Sequence, residues 1–365
     1  MKKIDSAPKF FLASHSTTGF KSVFNYLYEP EDGWFCYILK GGPGTGKSTL
    51  MKSVAEKLYE KLKIKYEIIC CSSDPDSVDA VIFPEAKKCI VDGTAPHTMD
   101  PTYPGASDTI INLGECWNEK KLMKQKDEII NLSKQNAHYH KKSAKYLKAF
   151  GEIFSINQDI IGSSINHQKL DKFCSRLSKK ILKNKFNNRI GKTDQKMISA
   201  VTPKGYYLFP DSLNFFAKNL YVIEDYTGEV GNKIIKNIHK NAVSKGYDTV
   251  LFPSCLLGEN RFDALAIPEA DVAFIINNYH SGLNFCKSLN TTKIHSKRFL
   301  MNDLVKNHKN LLNFNFKASK EFLNESVKNL KQALEVHDKI EEIYIKNMNY
   351  KKVKKITDKL ISAIL

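Results

Sequence analysis

The chain has 365 residues, 42% of them hydrophobic and 26% charged, with a formal net charge of +17. That length allows two hydrophobic cores, and no apolar run approaches the ~18 residues that a membrane-spanning helix needs. The opening MKKIDSAPKF lacks the apolar segment of a secretory signal, so the expected compartment is the cytoplasm.

The positive charge is unevenly spread. Residues 1–117 carry 13 Lys/Arg and 15 Asp/Glu, and residues 197–301 carry 11 and 9. Residues 118–196 carry 19 and 7, and residues 302–365 carry 13 and 8. The excess therefore sits on two segments. Only Arg176, Arg189, Arg261 and Arg298 are arginines, which disfavours a reader of base edges. The eight cysteines form no Cys-x-x-Cys pair and no zinc spacing, so they are expected to be reduced thiols.

In chain order, WFCYILK (34–40) predicts a buried parallel strand. GGPGTGKS (41–48) follows and fits G-x-x-x-x-G-K-[ST], a match with about a 1% chance of arising at ordinary residue frequencies. Its glycines, Gly41, Gly42, Gly44 and Gly46, with Pro43 and Thr45 between them, let successive N–H groups turn inward around phosphate oxygens. Lys47 is expected to reach the β- and γ-phosphates, Ser48 to hold Mg²⁺, and Thr49 to meet the α-phosphate. The next residues predict a helix with Leu50, Val54 and Leu58 on one face. KYEIICC (65–71) predicts a second strand, completing a βαβ unit.

A triphosphate site also needs an acid at a neighbouring strand end. Asp92 ends the third apolar run, KKCIVDG (87–93), and is assigned to the metal. Asp74, just past the second strand, is the candidate base or water-orienting group. The alternative is that Asp74 and Asp76 start a helix at DPDSVDAV. His97 either senses the γ-phosphate or fixes a turn.

Residues 118–150 and 152–185 read as a basic helical pair broken near Gly151. Their lysines form either a solvated face or a surface for nucleic acid or an acidic protein. Residues 186–196 read as a linker. The first half then repeats: LASHSTTGF (12–20) resembles ISAVTPKGY (198–206), and DAVIFPEA (79–86) resembles DALAIPEA (263–270). YILKGGPGTGKSTLMK (37–52) aligns without a gap with YVIEDYTGEVGNKIIK (221–236), and His280 has a counterpart in His97. Asp225 replaces Gly41, Val230 replaces Gly46, Gly231 replaces Lys47 and Asn232 replaces Ser48, so the second loop is expected to hold no triphosphate. Lys233 stands two residues late. Arg261 is either structural or an arginine finger across the interface. In 302–365, Leu323, Val327, Leu330 and Leu334, then Val353, Ile356, Leu360, Ile361 and Ile364, predict two helices with a turn at 347–350.

The expected architecture is α/β. It consists of duplicated P-loop NTPase-like parallel sheet cores with helices on both faces, each followed by a helical hairpin, packed as an intramolecular pseudo-dimer. The units are 1–117, 118–196, 197–301 and 302–365. The stretch 17–50 resembles the opening of RecA- and KaiC-type ATPases. GGPGTGKS, the C-S-S-D-P-D-S-x-D segment at 71–79, DGTAPH at 92–97 and D-P-x-Y-P-G at 100–105 together resemble an uncharacterised bacterial family of tandem P-loop proteins, described as ATPases or nucleotide kinases. The resemblance spans nearly the whole chain. It implies ATP as ligand with Mg²⁺, while the second loop departs from it. The readings in view are an Mg-dependent ATPase, a nucleotide or small-molecule kinase, and a non-enzymatic ATP-dependent scaffold.

Overall fold

The computed structural model describes residues 7–95, 98–183, 189–282 and 290–364. The first half begins with β1 (Lys9–Phe10), β2 (Ala13–Ser16) and β3 (Gly19–Ser22). Then come β4 (Phe35–Lys40), α1 (Lys47–Leu62), β5 (Glu67–Cys70), β6 (Val78–Phe83), β7 (Lys88–Asp92) and β8 (Asp108–Asn112). Helices α2 (Glu119–Lys124), α3 (Lys126–Ser163) and α4 (His167–Ile181) follow. The second half supplies β9 (Thr193–Gln195), β10 (Ser199–Thr202), β11 (Gly205–Leu208), β12 (Asn219–Glu224), α5 (Glu229–Ser244) and β13 (Thr249–Pro253). It ends with β14 (Phe262–Ile267), β15 (Val272–Asn277), β16 (Asn290–His295), α6 (Asn302–Asn307), α7 (Lys309–Ile345) and α8 (Tyr350–Ile364).

The architecture is α/β. One six-stranded sheet has the order β1-β5-β6-β7-β4-β8, and the other, read in the same sense, has β9-β13-β14-β15-β12-β16. The sheets are mixed, which corrects the expected parallel cores. β6 runs antiparallel to β5 and β7, and β14 runs antiparallel to β13 and β15. The reason is connection length. Residues 71–77 are too few for a crossover helix. The 3₁₀ turns at Pro84–Ala86 and Pro268–Ala270 then reverse the chain through the left-handed residues Lys87 and Asp271. The repeated strings are therefore hairpins. Asp74 and Asp76 start no helix, since the chain enters β6 instead. β4 and β5 are not neighbours either, because β7 and β6 lie between them.

A four-stranded sheet, β11-β10-β2-β3, joins the halves. In it His15 faces Val201, each the third residue of its strand. Ser143 and Ser326, each the eighteenth residue of its long helix, share a hydrogen bond at 2.7 Å. Equivalent residues meeting in this way mark an internal two-fold relation.

The helices differ from the expected pair of self-contained hairpins. α3 packs along α7, α4 packs on α5, and α8 packs on α1. Each half thus sends its last helix to the other core. α3 also runs unbroken through Gly151, where a Cβ would lie 2.8 Å from the Thr17 side chain. That glycine serves close packing. The actual turn precedes Asn166, whose side chain accepts the Lys169 N–H at 2.9 Å and caps α4. Part of the expected linker is strand, since Thr193–Gln195 pairs in parallel with β13. The turn expected at 347–350 lies between α7 and α8. Among the described residues, no helix is long and apolar enough to cross a membrane.

Candidate functional site

β4 is buried along Cys36, Ile38 and Leu39 and lies between β7 and β8, so the loop after it emerges one strand in from the β8 side of the first sheet. Gly46 adopts the left-handed conformation (φ 86°) and turns the chain into α1. Thr45 Oγ1 donates to the Gly42 carbonyl at 2.9 Å and fixes the loop. The amide ends of α1 then face outward with their partial positive charge.

Lys47 Nζ donates to the carbonyls of Gly41 and Gly42, both at 2.8 Å, and lies 3.5 Å from Asp92 Oδ2. Asp92 reaches this position because β7 pairs directly with β4, with Leu39 opposite Asp92. Its carboxylate also accepts from the N–H and hydroxyl of Thr94, at 2.9 and 2.6 Å. Ser48 Oγ accepts the Val78 N–H at 3.1 Å. Asp74 Oδ1 accepts the Asp76 N–H at 3.2 Å, an Asx turn, and burial raises its carboxyl above the usual range. Asp76 itself is exposed and pairs with Lys204. His97 lies outside the described residues.

The loop, including Pro43 and Thr49, lines a chamber of about 1030 Å³ that both halves build. Asp74, Asp79 and Asp92 line one wall. His140 of α3, His337 and Glu341 of α7, and Tyr350 of α8 also line the chamber. His140 Nδ1 lies 3.0 Å from His15 Nε2. These residues were not legible as site residues in the sequence, because their helices lie roughly 100 (α3) to 300 (α7 and α8) residues from the loop.

In the second half the corresponding loop is filled from within. Asp225, 3% exposed, accepts the Gly231 N–H at 2.7 Å. Left-handed Gly228 opens α5 as Gly46 opens α1, so the second loop is two residues shorter than the ungapped alignment has it, and Glu229 rather than Gly231 stands in the place of Lys47. Gln158 of α3 donates to the carbonyls of Thr227 and Leu257 at 3.1 and 3.0 Å. Arg261 forms a short ion pair with Glu229 of its own half, and it is not a wall residue of the chamber. Of the two readings of Arg261, this pairing within its own half fits the structural one. His280 packs against Phe150 and Phe154 with centroids 5.0 and 5.6 Å apart, a structural role.

Comparison with protein-family models, curated proteins and solved structures finds no match for this chain.

Sequence reasoning missed Asp79. It begins the repeated string, yet its importance depends on β6 turning it inward beside Asp92. It is 7% exposed, with the Cys71 thiol as a hydrogen-bond partner. Burial, and next the Asp92 charge, push its carboxyl up to about 7. An unfolded aspartate titrates near ~4. Ionising Asp79 in the folded chain therefore costs stability, beginning as pH rises past about 4 and complete above about 7. Asp79→Asn should relieve that cost, by up to about 4 kcal/mol at pH 8 and little at pH 4. Paired thermal melts from pH 4 to 8 check it. A pH-independent difference would show that Asp79 does not titrate in this range.

The lysines of 118–150, among them Lys134, Lys141 and Lys148, are exposed. Because α3 packs into the joint with α7, deleting this segment would disturb the fold as well as remove charge.

Proposed function

We propose that the chain binds MgATP at the N-terminal loop and hydrolyses it, as a member of the tandem P-loop family its motifs resemble. The observation that carries this reading is the placing of Lys47, Ser48 and Asp92 together at the mouth of one chamber. Lys47 sits 3.5 Å from Asp92, at the start of a helix whose amides face the same space.

In this reading the amides of 42–48 hold the phosphates. Lys47 exchanges its bonds to the loop carbonyls for phosphate oxygens. The Ser48 hydroxyl and the Asp92 carboxylate are the oxygen donors for Mg²⁺, a donor set that suits a hard cation sharing its shell with phosphates. Mg²⁺, when bound, neutralises charge on the phosphoryl oxygens. Asp74 and Asp79 are the carboxyl groups on that wall able to orient water or take its proton. The second loop, filled by Asp225, holds no triphosphate.

One observation favours the kinase reading as the second. His140, His337 and Asp74 line chamber space around the loop, where an acceptor could sit. Phosphate release from ATP separates the two readings. With Mg²⁺ and no acceptor, steady release that stops with EDTA is expected. Release or transfer that begins only when a nucleoside or metabolite is added would replace hydrolysis with phosphoryl transfer.

A further inference from the structure

The turn joining α7 to α8 rests on the P-loop. The Gly44 N–H donates to Glu341 Oε1 at 3.1 Å, and the Tyr350 hydroxyl donates to the Gly44 carbonyl at 2.9 Å. A Cβ on Gly44 would stand 2.8 Å from the Glu341 carbonyl oxygen, so the two backbones are in close contact. Glu341 Oε1 also lies 3.6 Å from His337 Nε2. Backbone amides of this loop are the groups that cradle phosphate. A carboxylate and a phosphate oxygen compete for the same donor, and their charges repel at this distance.

The other half offers an internal comparison. Gln158 and Glu341 are each the thirty-third residue of their long helix. Neutral Gln158 donates to carbonyls beside a loop already filled by Asp225. Anionic Glu341 instead accepts from a loop amide. The one position thus carries a donor where the loop is filled from within and an acceptor where it faces the chamber.

We propose that Glu341 is a nucleotide-displaced latch. Its carboxylate holds the Gly44 amide while no nucleotide is bound, and an entering triphosphate expels it and frees the α7–α8 turn from the loop. This rests on the reading of the N-terminal loop as the ATP site. Because α7 pairs along α3, and α8 packs on α1, release of the turn links nucleotide state to the joint between the halves.

The test is binding of a non-hydrolysable ATP analogue with Mg²⁺ to wild type and Glu341→Gln, by calorimetry. Glutamine keeps an acceptor oxygen and nearly the same shape but removes the charge. The expected Kd is at least about tenfold lower in the variant. Hydrogen exchange supplies a second readout. The analogue should speed exchange across 341–350 in wild type, and the variant should show that faster exchange before ligand is added. An equal Kd overturns the latch and leaves ATP binding standing. A higher Kd in the variant also overturns it, since Glu341 would then assist the nucleotide. Absence of binding in both proteins, each folded by circular dichroism, overturns the ATP reading and the latch with it.

Discussion

Lys47→Ala is expected to lower the proposed MgATP turnover by about a hundredfold to a thousandfold. The side chain is 11% exposed, and its ammonium is held by two loop carbonyls and by Asp92. In the proposed reading, alanine removes the cation that would meet the β- and γ-phosphates. It also leaves Asp92 and Asp79 without their nearest positive charge, so the triphosphate would enter against two carboxyl groups. Removing a single stabilising donor of this kind typically costs about 3–4 kcal/mol in the transition state. Steady-state phosphate release, with circular dichroism to confirm the fold, measures the effect. Lys233→Ala is the matched control. Lys233 lies 3.6 Å from Glu229 on α5, in the filled half, and its loss should leave turnover within about twofold of wild type. Equal losses in the two variants would sink the reading of a single competent loop.

Glu67→Ala is expected to destabilise the protein by about 3 kcal/mol or more. Glu67, on β5 of the first sheet, is 2% exposed and forms a short ion pair with Lys196, between β9 and β10 of the second half. The Lys196 ammonium also lies over the rings of Phe10 and Phe216, at 5.1 and 5.9 Å from their centroids. The pair thus fastens one half to the other within an aromatic setting. Alanine strands a buried ammonium, and the neighbouring Asp194, whose carboxyl feels the Lys196 charge, compensates only in part. Urea unfolding should show a lower midpoint with an unchanged slope. The double variant Glu67→Met, Lys196→Met should recover most of the loss, because two apolar side chains remove both desolvation costs together. A loss below about 1 kcal/mol in the single variant would show that the pair does not hold the halves.

The loop was legible because its chemistry is local. Glycines at 41, 44 and 46, then Lys47 and Ser48, follow an apolar strand within a dozen residues, and each requirement can be checked on the sequence alone. The duplication was legible because its matching strings keep the same order, and the two sheets repeat one strand order. Strand direction was not legible. DAVIFPEA and DPDSVDAV allowed a helix start as readily as a hairpin, and only the pairing of β6 with both β5 and β7 decided between them. Asp79 became a site residue through that same choice.

The sequence by itself determined which loop has the lysine and which lacks it, because that difference is written in residue types at aligned positions. The tertiary structure alone decided what stands opposite the loop. The periodicity of 302–365 called for two apolar helical faces but named no partner for them. Many surfaces can bury an apolar face, and here α7 lies along α3 while α8 lies on α1 of the other core. That packing brings Glu341 and Tyr350 to Gly44, across a separation of about 300 residues that no local rule connects.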